Sequence, residues 1–355
     1  MIGRPRPAVQ ILPSYRPGKD AAQAEAEHGI SDAIKLASNE TPWGPVPSVV
    51  EAIAAAAPNS NRYADHRASA LRERIAHWVG IGTDQTAVGC GSVGLLQQLL
   101  LSYVDPGDEV LYPWRSFEVY PVYTKLVGGI EVTVPLKDNR FDLKAVAAAA
   151  TDNTKLIILS NPNNPTGTAQ PMNEIADLLH AVADDVIVVV DEAYREFMSP
   201  ELGDPVTDLL PHHPNLVVLR TFSKAQGLAA LRVGYAIAHP EVIETIDKTL
   251  FPFAVNGLAQ IAAIAAIDAH AEVMERVAFI VEERSRVALA LADAGWRLPD
   301  PEANFVYLPL GSRTEEVYVE MEKQGVVTRP FAGEGIRVTI GTVEENDRFL
   351  RTLIS

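Results

Sequence analysis

The sequence has little cysteine, a deficit of positive charge and no long apolar stretch. Its single cysteine, Cys90, excludes an internal disulfide framework and is typical of a reducing compartment. Acidic residues outnumber basic ones by 46 to 30, and the formal charge of −16 argues against nucleic acid or an anionic membrane as a partner. No apolar run approaches about 18 residues, and the first ten residues lack the apolar core of a signal peptide. These absences predict a cytoplasmic protein that binds neither nucleic acid nor membrane.

The chain is long enough, and contains enough apolar residues, to form two domains that each have a hydrophobic core. The chain has 355 residues, of which 47% are hydrophobic and 21% charged, as in a globular protein. We predict an N-terminal arm over residues 1–40 that associates with a small C-terminal domain over 255–355. A large domain over 41–254 would carry the ligand site, and closure of the small domain over it would exclude water.

Three apolar runs carry the fold prediction, because polar residues follow each of them directly. The runs are residues 156–160, 186–190 and 216–219, followed in turn by NPNNPTG, DEAY and RTFSK. Continuous apolar runs are typical of strands covered on both faces, and a predicted helix over 172–182 is long enough for a crossover. We therefore predict an α/β fold with a mainly parallel sheet between helices, plus a smaller α+β domain. Ligands gather at the carboxyl ends of such strands, where Asn164, Asp191 and Lys224 arrive.

The residues at these strand ends suggest a specific cofactor. Lys224 lies among apolar neighbours, where partial desolvation would lower its pKa and leave a nucleophilic amine. Ser223 and Arg232 supply the hydroxyl and the guanidinium that suit a phosphate monoester. Asp191 would be costly to bury unless it faced a cation such as a pyridinium. An amine, an acid and a phosphate site indicate pyridoxal 5'-phosphate (PLP). The structural alternatives are a solvated loop lysine and an aspartate that caps a helix.

A glycine loop, GCGSVG at residues 89–94, offers two competing interpretations. It follows a short apolar run and opens a helix, so its free amides could bind phosphate. It also fits the GxGxxG dinucleotide fingerprint of a nicotinamide dehydrogenase, with Asp108 or Glu109 as the ribose acid. That reading leaves Lys224 and Asp191 without a role. Cys90 in the same loop could be a nucleophile or simply a small buried residue.

The order of the motifs resembles a known family. NPNNPTG, DEAY and TFSKAQGLAALRVGY, in this order, are similar to the fold-type I PLP-dependent aminotransferases. Within them the chain resembles the histidinol-phosphate aminotransferase group, from PSYRPGK near the N-terminus to RVTIGTVEEND near the C-terminus. The stretches AVGCGSV, WRSFEVYP and LPLGSRT are most similar to the actinobacterial aromatic (phenylalanine) aminotransferase branch.

The resemblance implies a role for each residue that matches the family motifs. Lys224 would form the imine with PLP and move the proton, Asp191 would pair with the pyridinium, and Tyr194 and Asn164 would hold the ring phenolate. Phe117 would stack on the ring. The implied phosphate ligands are Thr221, Ser223, Arg232 and the loop residues Gly91, Ser92 and Val93. Tyr63 would reach the phosphate of a neighbouring subunit, which implies a homodimer with shared active sites.

The same resemblance implies the reaction and the substrate contacts. An aromatic amino acid (phenylalanine, tyrosine or tryptophan) would donate its amino group to a 2-oxo acid such as 2-oxoglutarate. Arg337 would bind the anionic group, and the other implied substrate residues are Tyr15, Asn39, Trp43 and Phe253. The alternative donor is histidinol phosphate, whose phosphate would meet Arg337, Arg16 and Arg329. No metal site is predicted.

Some positions depart from the family pattern, and other functions stay open. Gln226 replaces an aromatic residue, Ala230 a glycine and Ala64 a proline, which bears on the substrate but removes no catalytic group. A transcription regulator built on the PLP fold would need an added DNA-binding segment. Decarboxylation and racemisation use the same motifs.

Overall fold

A seven-stranded sheet lies at the centre of the molecule. The computed structural model describes residues 3–12 and 18–354. The strands are β1 (Ile34–Lys35), β2 (Thr86–Gly89), β3 (Glu109–Trp114), β4 (Ile130–Pro135), β5 (Thr154–Ser160), β6 (Ile187–Asp191), β7 (Leu216–Thr221), β8 (Gly234–Ala238), β9 (Phe305–Leu308), β10 (Val326–Val327), β11 (Arg329–Phe331) and β12 (Gly335–Thr339). The large sheet has the order β2-β8-β7-β6-β5-β3-β4.

Helices surround the sheet and connect its strands. They are α1 (Pro7–Gln10), α2 (Ala21–His28), α3 (Pro47–Ala56), α4 (Ser69–Val79), α5 (Gly91–Tyr103), α6 (Val119–Val127), α7 (Leu143–Ala149), α8 (Met172–Ala181), α9 (Pro205–Asp208), α10 (Pro240–Lys248), α11 (Gly257–Asp268), α12 (His270–Asp293), α13 (Thr314–Lys323) and α14 (Val343–Ile354). The helix predicted between the first and second motif strands is α8, which joins β5 to β6 as a crossover.

The parallel core of the sheet confirms the predicted α/β class. β7, β6, β5, β3 and β4 run parallel, and β8 is antiparallel to both of its neighbours. Successive side chains of β6 point to opposite faces, so Val188 and Val190 join one apolar cluster while Ile187 and Val189 join the other. Because both faces are covered, the central strands β5, β6 and β7 carry the continuous apolar runs seen in the sequence.

The dinucleotide interpretation of the glycine loop is wrong. That fingerprint requires the strands before and after the helix to be parallel members of one βαβ unit. Among the described residues, β2 is an edge strand whose partner is the antiparallel β8, and four strands separate it from β3. Glu109, the proposed ribose acid, instead accepts hydrogen bonds from the hydroxyls of Thr151 and Thr154 at 2.7 and 3.1 Å.

Two smaller sheets link the N-terminal segment to the C-terminal region. β11, β12 and β9 form an antiparallel sheet, and β1 pairs in parallel with β10. Lys19, ahead of α2, forms an ion pair with Glu322 of α13 at 2.9 Å. The segment from residue 18 to residue 35 therefore packs on the C-terminal region, as an arm would.

The helix that follows the predicted domain boundary packs on the large domain. α11 contacts α3 and α4 through small buried side chains, among them Ala259, Ala262 and Ala266. The division at residues 254 and 255 stays a prediction. Among residues 3–12 and 18–354 no single helix has the length and apolarity to cross a membrane; α11 and α12 meet that test only jointly, across a bend of 79°.

Candidate active site

A cavity of about 330 Å³ opens at the carboxyl ends of the parallel strands. Ser160 at the end of β5 pairs in register with Asp191 at the end of β6, and Asp191 pairs with Leu219 of β7. The polar residues that follow these strands therefore reach one edge of the sheet. The predicted site residues that line the cavity are Asn39, Ser92, Val93, Phe117, Asn164, Asp191, Tyr194, Thr221, Ser223, Lys224, Arg232 and Arg337.

Lys224 presents a reactive amine to this cavity. Its Nζ donates a hydrogen bond to the carbonyl oxygen of Ser38 at 3.0 Å and lies 5.8 Å from the centre of the Tyr194 ring. Burial, reinforced by the positive charge of Arg337, lowers the pKa of Lys224 to about 7. A substantial fraction of the amine is therefore neutral at physiological pH, which is the form that attacks a carbonyl and accepts a proton.

Asp191 is a buried carboxylate, and one of its two oxygens accepts no hydrogen bond from the described residues. Only 5% of the residue is exposed, and Oδ2 accepts a hydrogen bond from the hydroxyl of Tyr120 at 3.0 Å. Oδ1 is buried and has no hydrogen-bond partner among the described residues. Burial raises the pKa of Asp191 to about 6. Such an oxygen is costly to bury unless a protonated group of a ligand meets it.

An anion cradle lies where α5 begins. Cys90 precedes the helix without making a side-chain cap, and the backbone at Gly91 takes a left-handed φ of 71°. A Cβ at Gly91 would lie 2.7 Å from Nη2 of Arg232, so only glycine lets the guanidinium approach this closely. Arg232 donates to the Ser223 hydroxyl at 3.4 Å, and Thr221 donates to the same oxygen at 2.9 Å. Helix amides, two hydroxyls and a guanidinium form a site suited to phosphate.

A hydrogen-bond network brings a third part of the chain to the cavity. Nδ2 of Asn39 donates to the Tyr194 hydroxyl at 2.8 Å, and Oδ1 of Asn39 accepts from the Thr339 hydroxyl at 3.1 Å. Arg337 donates to Oδ1 of Asn164 and, at 2.6 Å, to the carbonyl oxygen of Ala37. The network therefore joins the segment after β1, the end of β5 and β12 around one space.

Not every predicted site residue lies at the cavity. Trp43 packs against Phe279, with ring centres 5.1 Å apart, and does not line it. Tyr63 stacks on Phe253 at 4.5 Å, and 85% of Tyr63 and 42% of Phe253 are exposed. Cys90 is exposed outside the cavity. Tyr15 and Arg16 fall outside the described residues.

The structure also adds residues to which the sequence analysis gave no role. Tyr120 belongs to the aromatic stretch WRSFEVYP, so its proximity to a strand end was the available signal. Glu118, in the same stretch, forms an ion pair with Arg329 at 2.6 Å, and both line the cavity. The contact between Lys224 and Ser38 uses a backbone carbonyl, which no residue type in a sequence reveals.

Comparison with known proteins places this geometry in a family. The family model for aminotransferase class I and II matches residues 31–353. The aromatic amino acid aminotransferase of Thermobifida fusca (strain YX) is 50% identical over 346 residues, which are 97% of this chain and 95% of that protein. The enzyme of the same name from Rhodococcus opacus (strain B4) is 49% identical over 351 residues, covering 99% and 95%.

One solved structure resembles the whole chain. The histidinol-phosphate aminotransferase of Sinorhizobium meliloti in complex with pyridoxal-5'-phosphate superposes with a TM-score of 0.91. The match covers 100% of this chain and 97% of that one, at 30% sequence identity.

The lowered pKa of Lys224 predicts how its reactivity depends on pH. We expect reductive methylation by formaldehyde and cyanoborohydride in the ligand-free protein to rise through pH 7 and to level off by about pH 8, because the neutral amine is the reactive form. Lys248, whose side chain is 67% exposed, is the reference. Peptide mass spectrometry measures both sites. Labelling of Lys224 that continues to rise between pH 8 and pH 10 would contradict the assignment.

Proposed function

The chain belongs to the class I and II aminotransferase family and is an aminotransferase, and from this premise we propose that it uses PLP to transfer an amino group from an aromatic amino acid to a 2-oxo acid. The donors are phenylalanine, tyrosine or tryptophan, and the acceptor is one such as 2-oxoglutarate. The observation that carries the proposal is the convergence of the Lys224 amine, the Asp191 carboxylate and the anion cradle on one cavity.

The residues at the cavity fit PLP group by group. Oδ1 of Asp191, buried and without a hydrogen-bond partner among the described residues, suits a protonated ring nitrogen. The N-terminus of α5 with Ser223 and Arg232 suits the phosphate, and Phe117 offers a ring for stacking. Tyr194 and Asn164 present polar groups suited to the ring hydroxyl. When bound, PLP supplies an aldehyde for the amine and a ring that withdraws electrons from the donor's α-carbon.

The protein's own groups bind the donor and move its proton. Arg337 binds the α-carboxylate, which fixes the amino acid with its α-carbon near Lys224. Nζ of Lys224, neutral at a pH above about 7, would take the α-proton and deliver it to the carbon that carries the cofactor's aldehyde group. Asp191 stays ionised beside a cation, since pairing offsets the burial that raises its pKa. Closure of the predicted small domain, residues 255–355 with the arm, would exclude water from these steps.

The names of the relatives support an aromatic donor. At about 50% identity over nearly the whole chain, they are called aromatic amino acid aminotransferases. Phe117 and Phe331 line the cavity and give it an apolar wall. Histidinol phosphate is the second candidate, and the likeness to the Sinorhizobium meliloti enzyme, at 30% identity, favours it.

A homodimer with shared sites completes the proposal. Tyr63 and Phe253 form an exposed aromatic stack, and neither residue lines the cavity. Covering such a pair is the expected use of an exposed aromatic surface, and the Tyr63 hydroxyl would then reach the partner's phosphate site. The cytoplasmic location stays a prediction from the single cysteine.

The donor is tested by side-by-side kinetics. With 2-oxoglutarate as acceptor, we expect a higher kcat/KM for phenylalanine than for histidinol phosphate. Lys224→Ala should lose turnover with either donor by roughly 10³-fold, since it removes the group that transfers the proton. Lys248→Ala, an exposed change, is the control. A preference for histidinol phosphate would replace the aromatic donor, and near-normal turnover by Lys224→Ala would overturn the catalytic assignment.

The shared site is tested by hybrid dimers. Tyr63→Phe should weaken PLP affinity by about tenfold, the effect of losing one hydrogen bond to a charged group. Mixing it with Lys224→Ala should create hybrids in which one site combines an intact Lys224 with an intact Tyr63, so normal affinity returns in that site. Tyr103→Phe is the control. Absence of recovery in the mixture, or unchanged affinity in Tyr63→Phe, would count against the cross-subunit contact.

A further inference from the structure

Two arginines stand side by side on the hairpin that borders the cavity. Arg329 of β11 and Arg337 of β12 are directly opposite each other in the antiparallel pair, so their side chains share one face. Both line the cavity, and Phe331 lies within 6.0 Å of both guanidinium groups. Like charges directly opposite each other repel, so this arrangement requires compensation from elsewhere.

Glu118 supplies that compensation for one of the two. Its Oε2 lies 2.6 Å from Nη2 of Arg329, and the side chains are 39% and 16% exposed. Glu118 immediately precedes α6 and follows Phe117, so the carboxylate reaches the cavity from the large sheet. Arg337 donates hydrogen bonds to the neutral oxygens of Asn164 and Ala37. The Glu118–Arg329 pair therefore adds no net charge to the charged wall, the part of the cavity lining formed by Glu118, Arg329 and Arg337.

The net charge of the charged wall affects whether the cavity binds a donor with a carboxylate or a donor with a phosphate. An amino acid brings one negative charge in its carboxylate, whereas a phosphate monoester carries about −1.5 to −2 at neutral pH. A phosphate bound at the charged wall would be attracted by Arg329 and repelled by Glu118, so the two interactions would largely cancel. A carboxylate at Arg337 does not need Arg329.

We propose that Glu118 is a specificity-determining residue: by pairing with Arg329 it favours donors whose anionic group is a carboxylate and disfavours donors that carry a phosphate. This inference rests on the proposed function. It assigns the discrimination to a charge pair on the rim and not to the apolar pocket, which both kinds of donor can fill.

The test measures binding without turnover. Isothermal titration calorimetry on the full-length, PLP-loaded protein compares 3-phenylpropionate with 2-phenylethyl phosphate, which share an aromatic body and differ in the anionic group. In Glu118→Gln we expect the phosphate ester to bind about tenfold more tightly, the size of one charge interaction at a part-exposed site, and 3-phenylpropionate to change less. In Arg329→Gln the phosphate ester should bind more weakly. The gain in Glu118→Gln should shrink as salt is added.

A neighbouring ion pair provides the matched control. Glu334 pairs with Arg115, with Nε of Arg115 2.8 Å from Oε2 of Glu334, and neither residue lines the cavity. Glu334→Gln changes the net charge by the same amount as Glu118→Gln. We expect it to leave the ratio of the two dissociation constants unchanged. An equal change in Glu334→Gln would make the effect one of overall charge and would overturn the proposal.

The affinity for the phosphate ester should rise in Glu118→Gln and fall in Arg329→Gln. These opposite changes distinguish an effect on specificity from a structural defect. A structural defect would weaken both ligands in both variants, and that outcome would also overturn the proposal. If Glu118→Gln does not fold, Arg329→Gln still shows whether the charge of this pair changes the affinity for the phosphate ester in the expected direction. Failure of the wild type to transaminate phenylalanine would refute the proposed function, whereas an unchanged binding ratio in Glu118→Gln would refute this inference alone.

Discussion

The active site depends on removing two charged groups from water at the ends of adjacent strands. Asp191 is buried at the end of β6, and Lys224, which is partly buried, lies just beyond β7. Burial raises the pKa of the acid and lowers that of the amine, so each group is poised for chemistry at neutral pH. Neither arrangement stabilises the polypeptide by itself, since an isolated buried charge is costly. A bound cation beside the carboxylate and a carbonyl for the amine would offset that cost.

The rest of the fold holds these groups in one place. Parallel pairing of β5, β6 and β7 brings the three strand ends to one edge, and α5 aims its N-terminus at the same space. The hairpin of β11 and β12 comes from another sheet and adds Arg337, which the Ala37 carbonyl ties to the N-terminal segment. Transamination requires that an amino acid be gripped at its carboxylate while its α-carbon faces the amine. In the proposed reaction, Arg337 and Lys224 from separate parts of the chain would meet these two conditions.

Much of this could be predicted from the sequence because the signals are local. Continuous apolar runs marked the strands covered on both faces, and the polar residues directly after them marked the site; the structure brings Asn164, Asp191 and Lys224 to one cavity. Long-range pairing was not visible, so the antiparallel edge formed by β2 and β8 did not exclude the dinucleotide reading until the sheet order was known. The role of the Ser38 carbonyl was hidden for another reason, since every residue has one. Trp43 and Phe253 carry the right chemistry for an aromatic pocket, but packing against Phe279 and Tyr63 decides where their rings lie.

The central claim is that the buried carboxylate of Asp191 pairs with a cation supplied by PLP. Thermal unfolding of the wild type and Asp191→Asn at pH 8, with and without PLP, tests this claim most directly. Because burial raises the pKa of the folded carboxyl to about 6, its destabilising effect develops as the pH rises from the unfolded value through 6, and it is complete at pH 8. Asparagine removes that charge. We therefore predict that ligand-free Asp191→Asn is at least as stable as the wild type. PLP at 100 times its Kd should stabilise the wild type by about 2.7 kcal/mol, and the same concentration should stabilise the variant much less. Equal stabilisation of the two proteins by PLP would contradict the account.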